Sequence, residues 1–346
     1  MLSKSNKQIV LWLFGGCFLV FAMVVVGGIT RLTHSGLSIT EWNVLMGSIP
    51  PLNERDWQIA FEKYRQFPEF QKVNFDMGLS EFKSIFWWEF MHRLIGRLIG
   101  IVFIVPFLYF LLKGKLSRPL AWKLAGVFVL GGFQGFLGWF MVASGLVDNP
   151  HVSHYRLAAH LITAFLTFAY ILWLALDILY PAKGGANTPQ RIGRLSSLIL
   201  ITVIVQIIYG AFVAGLKAGL IYNTFPKMGD SWIPDAVTAM EPGWKNVLEN
   251  MAGVQFVHRC IAWLLVILVS ILVYVSRKDK LSGTQKNGVN LLAGMLVVQF
   301  TLGVLTVMNA VPLLLGALHQ MGAFFLFTTA LFFHHQTRNK SLAARY

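Results

Sequence analysis

Residues 87–100, WWEFMHRLIGRLIG, stand at the start of a long apolar run, yet they include Glu89, His92, Arg93 and Arg97. A run of about 20 mostly apolar residues is the length that spans the hydrocarbon core of a membrane. Ionisable side chains at the end of such a run cost free energy unless they pair with another group or have a function. This stretch therefore predicts a membrane helix and a site near its end.

The composition of the whole chain is that of an integral membrane protein. Hydrophobic residues make up 56% of the 346 residues and charged residues only 13%, and the mean hydropathy is +0.62. Such a balance is not typical of a soluble domain. Eight segments are long and apolar enough to span, at about residues 9–28, 93–112, 122–143, 157–177, 196–215, 254–275, 289–308 and 313–333. The sequence thus predicts an all-α membrane protein with eight transmembrane helices.

The net charge of +14 arises from an excess of basic residues on one side of this predicted topology. With the N-terminus inside, the inner segments hold 16 of the 29 Lys and Arg residues but only Asp177 and Asp279 among the 15 acidic residues. The remaining 13 basic residues are matched by 13 acidic ones on the outer side. This is the positive-inside pattern, which predicts cytoplasmic termini and no nucleic-acid partner. Because the N-terminus lacks the character of a mitochondrial presequence, a bacterial inner membrane is expected.

The chain contains an internal repeat. WEFMHR (88–93) matches VQFVHR (254–259), and QGFLG (134–138) matches QFTLG (299–303). AAH (158–160) likewise matches GALH (316–319), and GGITRLTHSGL (27–37) matches GAFVAGLKAGL (210–220) at an offset of 183. Both copies have the same orientation. The pattern predicts two pseudo-symmetric four-helix bundles related by a parallel repeat, with halves at 1–182 and 183–346.

The first outer connection, residues 29–92, is longer than its counterpart in the second half. Within it, Trp57, Ala60, Phe61 and Tyr64 recur at helical spacing. This spacing predicts an amphipathic helix on the outer surface. An ordinary connecting helix without chemistry is the alternative.

Four histidines lie at one predicted depth, two in each half: His92 and His160, then His258 and His319. Each is within about two helical turns, roughly 10 Å, of the outer end of its helix. A lone histidine is usually a satisfied core residue, but two imidazoles in a four-helix bundle suit axial ligation of haem iron. Zinc is a poorer candidate because it would lack a third protein ligand. Five other histidines are expected to be surface or solvated residues, namely His34, His151, His154, His334 and His335.

The neighbours of these histidines suit a haem. Arg93 and Arg259 directly follow two of them, and Arg97 is one turn deeper; guanidinium groups pair well with haem propionates. Glycines lack side chains and would let a flat macrocycle approach a helix backbone. Close packing between helices explains their presence equally well. The glycines in question are Gly135, Gly138 and Gly303.

The two halves differ in one acidic residue. Glu89 lies one turn before His92 on the same helix face, whereas the corresponding residue of the second half is Gln255. A haem that only transfers electrons needs no carboxylate beside it. Glu89 could accept a proton or stabilise developing positive charge. An ion pair with Arg93 or Arg97 is the alternative.

At these motifs the chain resembles the haem A synthase family, in the class found in proteobacteria and mitochondria. GGITRLTHSGLSITEWNVLMGSIPP, FWWEFMHRLIGR, SHYRLAAHL, NTFPKM and QFVHR carry the resemblance, which runs nearly end to end. It implies two pseudo-symmetric bundles and the oxidation of one ring methyl of haem O to a formyl group, by successive hydroxylations, for terminal oxidase assembly. Unlike some members, the chain has no cysteine pair in its outer loops.

The resemblance also implies how the site residues are used. His92 and His160 would hold or flank the substrate haem, His258 and His319 would ligate a permanent haem b, and Glu89 matches a residue important for the reaction. Haem O would enter from the membrane lipid. Haem O synthase and cytochrome oxidase assembly factors would be partners, and a homo-oligomer is compatible with the pattern. Two other interpretations stay open, a diheme b-type cytochrome taking electrons from quinol and a transporter.

Overall fold

The computed structural model describes residues 2–40, 49–145, 152–181 and 188–338, and most of these residues are helical. Eight long helices are apolar enough to cross a membrane. They are α1 (Lys4–Leu32), α4 (Leu79–Leu112), α5 (Arg118–Ala143), α6 (His154–Leu179), α7 (Gln190–Gly215), α9 (Met251–Ser276), α10 (Gly283–Met308) and α11 (Leu313–Thr337), with the short helices α2 (Glu54–Arg65), α3 (Pro68–Lys72) and α8 (Lys245–Leu248) between them. Each predicted spanning segment lies inside one of the long helices, which confirms the all-α membrane fold.

Side-chain caps set the start of several spanning helices. Ser117 accepts a hydrogen bond from the backbone N–H of Leu120 at the start of α5, and Asn250 does so from Ala252 before α9. Ser282 and Gln285 form a reciprocal capping box at the start of α10. Such caps satisfy backbone donors that have no partner within the helix. They explain why these helices begin several residues before the apolar runs.

The described part of the outer connection is more helical than its sequence indicated. The predicted amphipathic helix is confirmed as α2, and the first fourteen residues of α4, 79–92, continue the second span outward as a helix. Three apolar residues of α2 are buried. They pack in an aromatic cluster, here called the outer aromatic cluster, which consists of Trp57, Phe61, Tyr64, Phe70, Phe82, Phe86 and Phe90.

Phe82 is fully buried at the centre of the outer aromatic cluster. Its ring centroid lies 5.2 Å from that of Phe61 and 5.2 Å from that of Tyr64. Trp57 meets Phe86 edge-on at 5.0 Å. Aromatic pairs at these separations are favourable beyond their burial. The apolar face of α2 therefore covers the outward extension of α4.

The chain forms two compact units. One consists of Phe14–Phe168 and is called the N-terminal unit; the other consists of Met1–Leu13 with Ala169–Tyr346 and is called the C-terminal unit. In the C-terminal unit, α7 packs against α9 and α11, and α10 packs against the same two helices, so the four form a closed bundle. In the N-terminal unit, α4 packs against α5 and α2. These units are consistent with a repeat of four-helix bundles, while its boundary at residue 182 stays a prediction.

The expectation that His335 is solvated is wrong. His335 is fully buried, its Nε2 lies 2.9 Å from Asp177 Oδ1, and its ring meets Trp173 edge-on at 4.8 Å. Arg338 also pairs with Asp177. The end of α11 is therefore packed against α6. His334 is partly buried beside Ser196 Oγ at 3.0 Å, His34 is exposed, and His151 lies outside the described residues.

Candidate functional site

The four predicted histidines form two pairs, one in each unit. His92 on α4 and His160 on α6 belong to the N-terminal unit, and their imidazoles are close enough to interact electrostatically. His258 on α9 and His319 on α11 do the same in the C-terminal unit. All four side chains are partly buried. The structure thus brings together the imidazole pairs that the repeat predicted.

Each ring of these pairs packs against a glycine of a neighbouring helix. A Cβ atom placed on Gly27 of α1 would lie 2.9 Å from His92 Nε2, and one on Gly138 of α5 would lie 3.1 Å from His160 Cε1. In the C-terminal unit, the corresponding distances are 2.9 Å from Gly303 of α10 to His319 Cε1 and 3.5 Å from Gly210 of α7 to His258 Cε1. The glycines therefore make room for the imidazoles.

These distances also describe the glycines that the sequence singled out. Gly138 and Gly303 serve close packing against a histidine ring, whereas Gly135 has no atom within 4 Å of its Cβ position. Gly27 and Gly210 were not predicted as site residues. They occupy matching positions in the repeated stretches 27–37 and 210–220. That correspondence was the signal that could have found them.

Two glutamines also contact the histidines, and the sequence interpretation missed them. Gln134 Nε2 donates to the main-chain oxygen of His160 at 2.9 Å and lies 3.1 Å from the Nδ1 atom of the same residue. Gln299 Nε2 has the same two contacts with His319, at 3.0 Å and 3.1 Å. They are the first residues of the matching motifs QGFLG and QFTLG.

His258 has a further contact. Gln206 Nε2 on α7 lies 3.3 Å from His258 Nε2. At the repeat offset of 183, the position in α1 that corresponds to Gln206 is Met23. The surroundings of the two pairs are therefore similar in their glycines and differ in this polar residue.

Glu89 is the centre of a hydrogen-bond network in the N-terminal unit. Its carboxylate is only 2% exposed. Oε1 accepts from Arg93 Nη2 at 2.6 Å and from Arg93 Nε at 3.1 Å. Oε2 accepts from Ser38 Oγ at 2.7 Å and from the backbone N–H of Ile39 at 2.8 Å. The ion pair considered as the alternative for Glu89 is thus present, as part of a network that fixes both oxygens.

The C-terminal unit has a related arrangement without the carboxylate. Arg93 Nη2 donates to the main-chain oxygen of Ile39 at 2.7 Å, and Arg259 Nη2 donates to that of Tyr222 at 2.9 Å. Ile39 and Tyr222 are 183 residues apart, which is the offset of the repeat. Gln255 Nε2 donates to the same Tyr222 oxygen at 3.0 Å. The two units therefore share an arginine–carbonyl contact and differ in the charge of the neighbouring residue.

The arginines predicted to bind propionates have protein partners. Arg259 Nη1 also donates to the main-chain oxygens of Thr224 and Lys227, at 2.9 Å and 3.2 Å. Arg97 lies one turn below Arg93 on α4 and is partly buried. These contacts place positive charge near each histidine pair. Propionate binding by the three arginines stays a prediction.

The side chains around the C-terminal pair fit a haem. Among the buried polar atoms that lack a hydrogen-bond partner in the described residues, three belong to this pair or to residues that contact it: His258 Nδ1, Gln206 Oε1 and Gln299 Oε1. A buried polar atom without a partner costs about 1–3 kcal/mol, so a cluster of them is expected where a ligand completes the site. Two neutral imidazoles are suitable axial ligands for haem iron.

Comparisons with known proteins identify the family of the chain. The model of a family described as cytochrome oxidase assembly protein (COX15-CtaA) matches residues 10–331. A heme A synthase of Nitrosospira multiformis is 53% identical over 97% of this chain and 95% of its own length. One of Flavobacterium psychrophilum is 51% identical over 96% of this chain and 99% of its length. Heme A synthase COX15 of Arabidopsis thaliana is 43% identical over 98% of this chain and 76% of its length.

Proposed function

This chain belongs to the COX15-CtaA family of cytochrome oxidase assembly proteins, and we propose that its two histidine pairs divide the work of haem A synthesis between them. Its activity is that of a haem A synthase, an oxidoreductase that acts on haem O. The ring methyl of haem O is oxidised to the formyl group of haem A. The proposal concerns which residues hold each haem and which residue assists the oxidation.

In this proposal, His92 and His160 hold the substrate haem O in the N-terminal unit, and His258 and His319 ligate a resident haem b in the C-terminal unit. The difference between Glu89 and Gln255 carries the assignment. Both units contain an imidazole pair and an arginine–carbonyl contact, but only the N-terminal unit has a buried carboxylate at this position. A group that assists a reaction is needed beside the substrate and not beside an electron carrier.

The chain's own residues hold and orient the haems. When bound, the haem b supplies one-electron transfer, and the protein sets its position and its electrostatic surroundings. His258 and His319 would hold its iron. Arg259 would hold the resident propionates, and Arg93 and Arg97 those of the substrate, since guanidinium groups pair well with carboxylates.

Glu89 is proposed to act on the methyl group through its charge and its fixed orientation. The carboxylate is bonded by Arg93, Ser38 and Ile39, so its oxygens are held before the substrate arrives. Preorganised groups of this kind stabilise charge that develops in a transition state. Proton acceptance by Glu89 would require one of these donors to move away.

We further propose that haem O enters the N-terminal unit from the lipid. In the most apolar stretches of α4 and α5 only 6% of the residues are buried, against 50% in α6. Apolar faces of this kind suit the farnesyl tail of the substrate. The location proposed is a bacterial inner membrane, with both termini cytoplasmic and the haem sites toward the periplasm. Haem O synthase and oxidase assembly factors are the proposed partners.

A diheme cytochrome without haem modification gains no support, because the full-length relatives are named as the synthase. The proposed role of Glu89 is tested by coexpression with a haem O synthase, followed by chromatography of the extracted haems. Wild type should accumulate haem A, and Glu89→Gln should accumulate haem O instead. Glu62→Gln is the control, since Glu62 also pairs with an arginine, Arg65, but on the surface. Haem A in the Glu89→Gln strain at the wild-type level would exclude the role proposed for Glu89.

A further inference from the structure

A cavity of about 270 Å³ lies in the C-terminal unit, between the start of α7 and the end of α11. It is called here the α7–α11 cavity, and its lining includes Thr188, Gln190, Gly193, Arg194, His334 and Arg338. Thr337, the last residue of α11, is 18 residues beyond His319, which is about 27 Å along the helix. The cavity is therefore remote from the histidine pair of its unit and has no part in the function proposed above.

The lining of the α7–α11 cavity carries an unneutralised positive charge. Arg194 is exposed and forms no ion pair with the residues that the structure describes. Arg191, three residues earlier on α7, is instead paired with Asp279 and is not part of the lining. None of the described residues that line the cavity is acidic. A ligand with negative charge is therefore favoured at Arg194.

Arg338 adds a second guanidinium group, whose orientation is fixed by its neighbours in the protein. Its Nη2 donates to Asp177, and its Cζ lies 5.0 Å from the centroid of the Trp173 ring. Its Nε is buried and has no hydrogen-bond partner in the described part of the chain. Asp177 therefore holds Arg338 without using all of its donors.

Further hydrogen-bond donors accompany the two arginines. Thr188 is buried, and its hydroxyl oxygen accepts from Gln285 Nε2 at 2.9 Å, which leaves its own proton without an acceptor among the described residues. Gln190 is the first residue of α7, and the N-cap residue Pro189 has no side-chain cap to offer. The first N–H groups of a helix and its dipole favour an anion. The cavity therefore suits a ligand that accepts hydrogen bonds and carries negative charge.

We propose that the α7–α11 cavity binds the phosphate group of an anionic lipid. A phosphate has several acceptor oxygens, which match the planar donor set of a guanidinium group. Because the cavity lies where two spanning helices end, a ligand there is at the level of the lipid headgroups. Basic pockets between spanning helices bind anionic headgroups in this way. With the proposed orientation, the lipid belongs to the cytoplasmic leaflet.

The cavity offers two independent changes, one of charge and one of space. Arg194→Gln removes the unpaired charge, and Arg191→Gln is its control because it removes the same charge outside the cavity. Gly193→Leu fills space without changing charge, since a Cβ atom on Gly193 would meet no atom within 4 Å. Gly294→Leu is the matching control, because Gly294 of α10 is equally open and is not part of the lining.

The test measures lipid binding to full-length, haem-loaded protein in detergent by native mass spectrometry. The probes are dioleoyl phosphatidylglycerol, which is anionic, and dioleoyl phosphatidylcholine, whose phosphate is neutralised by its own cation. Wild type should bind the anionic lipid more tightly. Arg194→Gln should weaken that binding about 5-fold or more, and Gly193→Leu should weaken it at least as much. Both control variants should bind it as wild type does, and all five proteins should have similar melting temperatures.

Three results would overturn the inference. Equal affinity of wild type for the two lipids would show that the negative charge is not recognised. Unchanged binding in Gly193→Leu, or equal losses in Arg194→Gln and Arg191→Gln, would show that the lipid does not occupy the α7–α11 cavity. Inorganic phosphate is added in a final arm, and displacement of the lipid by phosphate at the same concentration would identify a soluble anion as the ligand.

Discussion

Replacement of Gly303 by alanine tests the packing of the histidine rings most sharply. The new Cβ atom would lie 2.9 Å from His319 Cε1, whereas two carbon atoms are comfortable at about 3.5–4.0 Å. The overlap is therefore roughly 0.6–1.1 Å. Without haem, the ring can swing away at little cost. Because alanine favours a helix over glycine by about 0.5–1 kcal/mol, the stability of the haem-free protein should change little.

With haem bound, the ring must return to its place, and the overlap is then unavoidable. Overpacking of this kind costs about 1–3 kcal/mol, which corresponds to a loss of haem affinity of about 5- to 150-fold. The assay is a haem titration of haem-depleted protein, followed by absorption, together with thermal unfolding of the same sample. The expected result is weaker haem binding at nearly unchanged stability.

Two glycines provide controls for this prediction. Gly210→Ala places its Cβ 3.5 Å from His258 Cε1, an ordinary contact, and Gly294→Ala on the same helix as Gly303 meets no atom within 4 Å. Both should bind haem as wild type does and should be slightly more stable. Equal haem affinity in Gly303→Ala and Gly294→Ala would refute the argument.

The remaining predictions concern the outer connection and the topology. Burial raises the pKa of the Glu69 carboxyl from 4.5 to about 7, so its stabilising effect is complete below pH 4.5 and is lost as the pH rises through 7. In Glu69→Gln, the free energy of unfolding should lose about 3 kcal/mol of its dependence on pH. A pH profile of stability unchanged from wild type would contradict this. Phe82→Ala should lower the free energy of unfolding by about 3–5 kcal/mol and expose α2 to protease, whereas Phe75→Ala, at a 69% exposed position, should do neither. Equal digestion of the two variants would count against the outer aromatic cluster. Alkaline phosphatase should be active when fused after Asp230 and inactive after Gly114, and the reverse pattern would invert the proposed orientation.

The spanning helices could be predicted from the sequence because each is an apolar run of the required length. The outward extension of α4 could not. In residues 79–92, aromatic side chains alternate with charged ones, and they form a helix where α2 covers Phe82 and Phe86. That burial depends on a contact between segments, which local pattern does not reveal.

The candidate site likewise could be predicted only in part. The repeat predicted the pairing of His92 with His160 and of His258 with His319, because matched positions in two bundles must lie at matched depths. The contacts of Gln134 and Gln299 with the histidines were not predicted, since a glutamine four residues from a glycine is also typical of ordinary helix packing. His335 was misinterpreted because its partner, Asp177, is 158 residues away in sequence.

The central proposal is that each histidine pair holds a different haem, and the haem content of two histidine variants tests it most directly. Wild type, His319→Ala and His160→Ala would be coexpressed with a haem O synthase and purified, and their haems extracted and separated. We expect haem b and haem A from wild type, loss of haem b in His319→Ala, and retained haem b without haem A in His160→Ala. Colourless wild-type protein, or the same loss of haem b in both variants, would contradict the proposal.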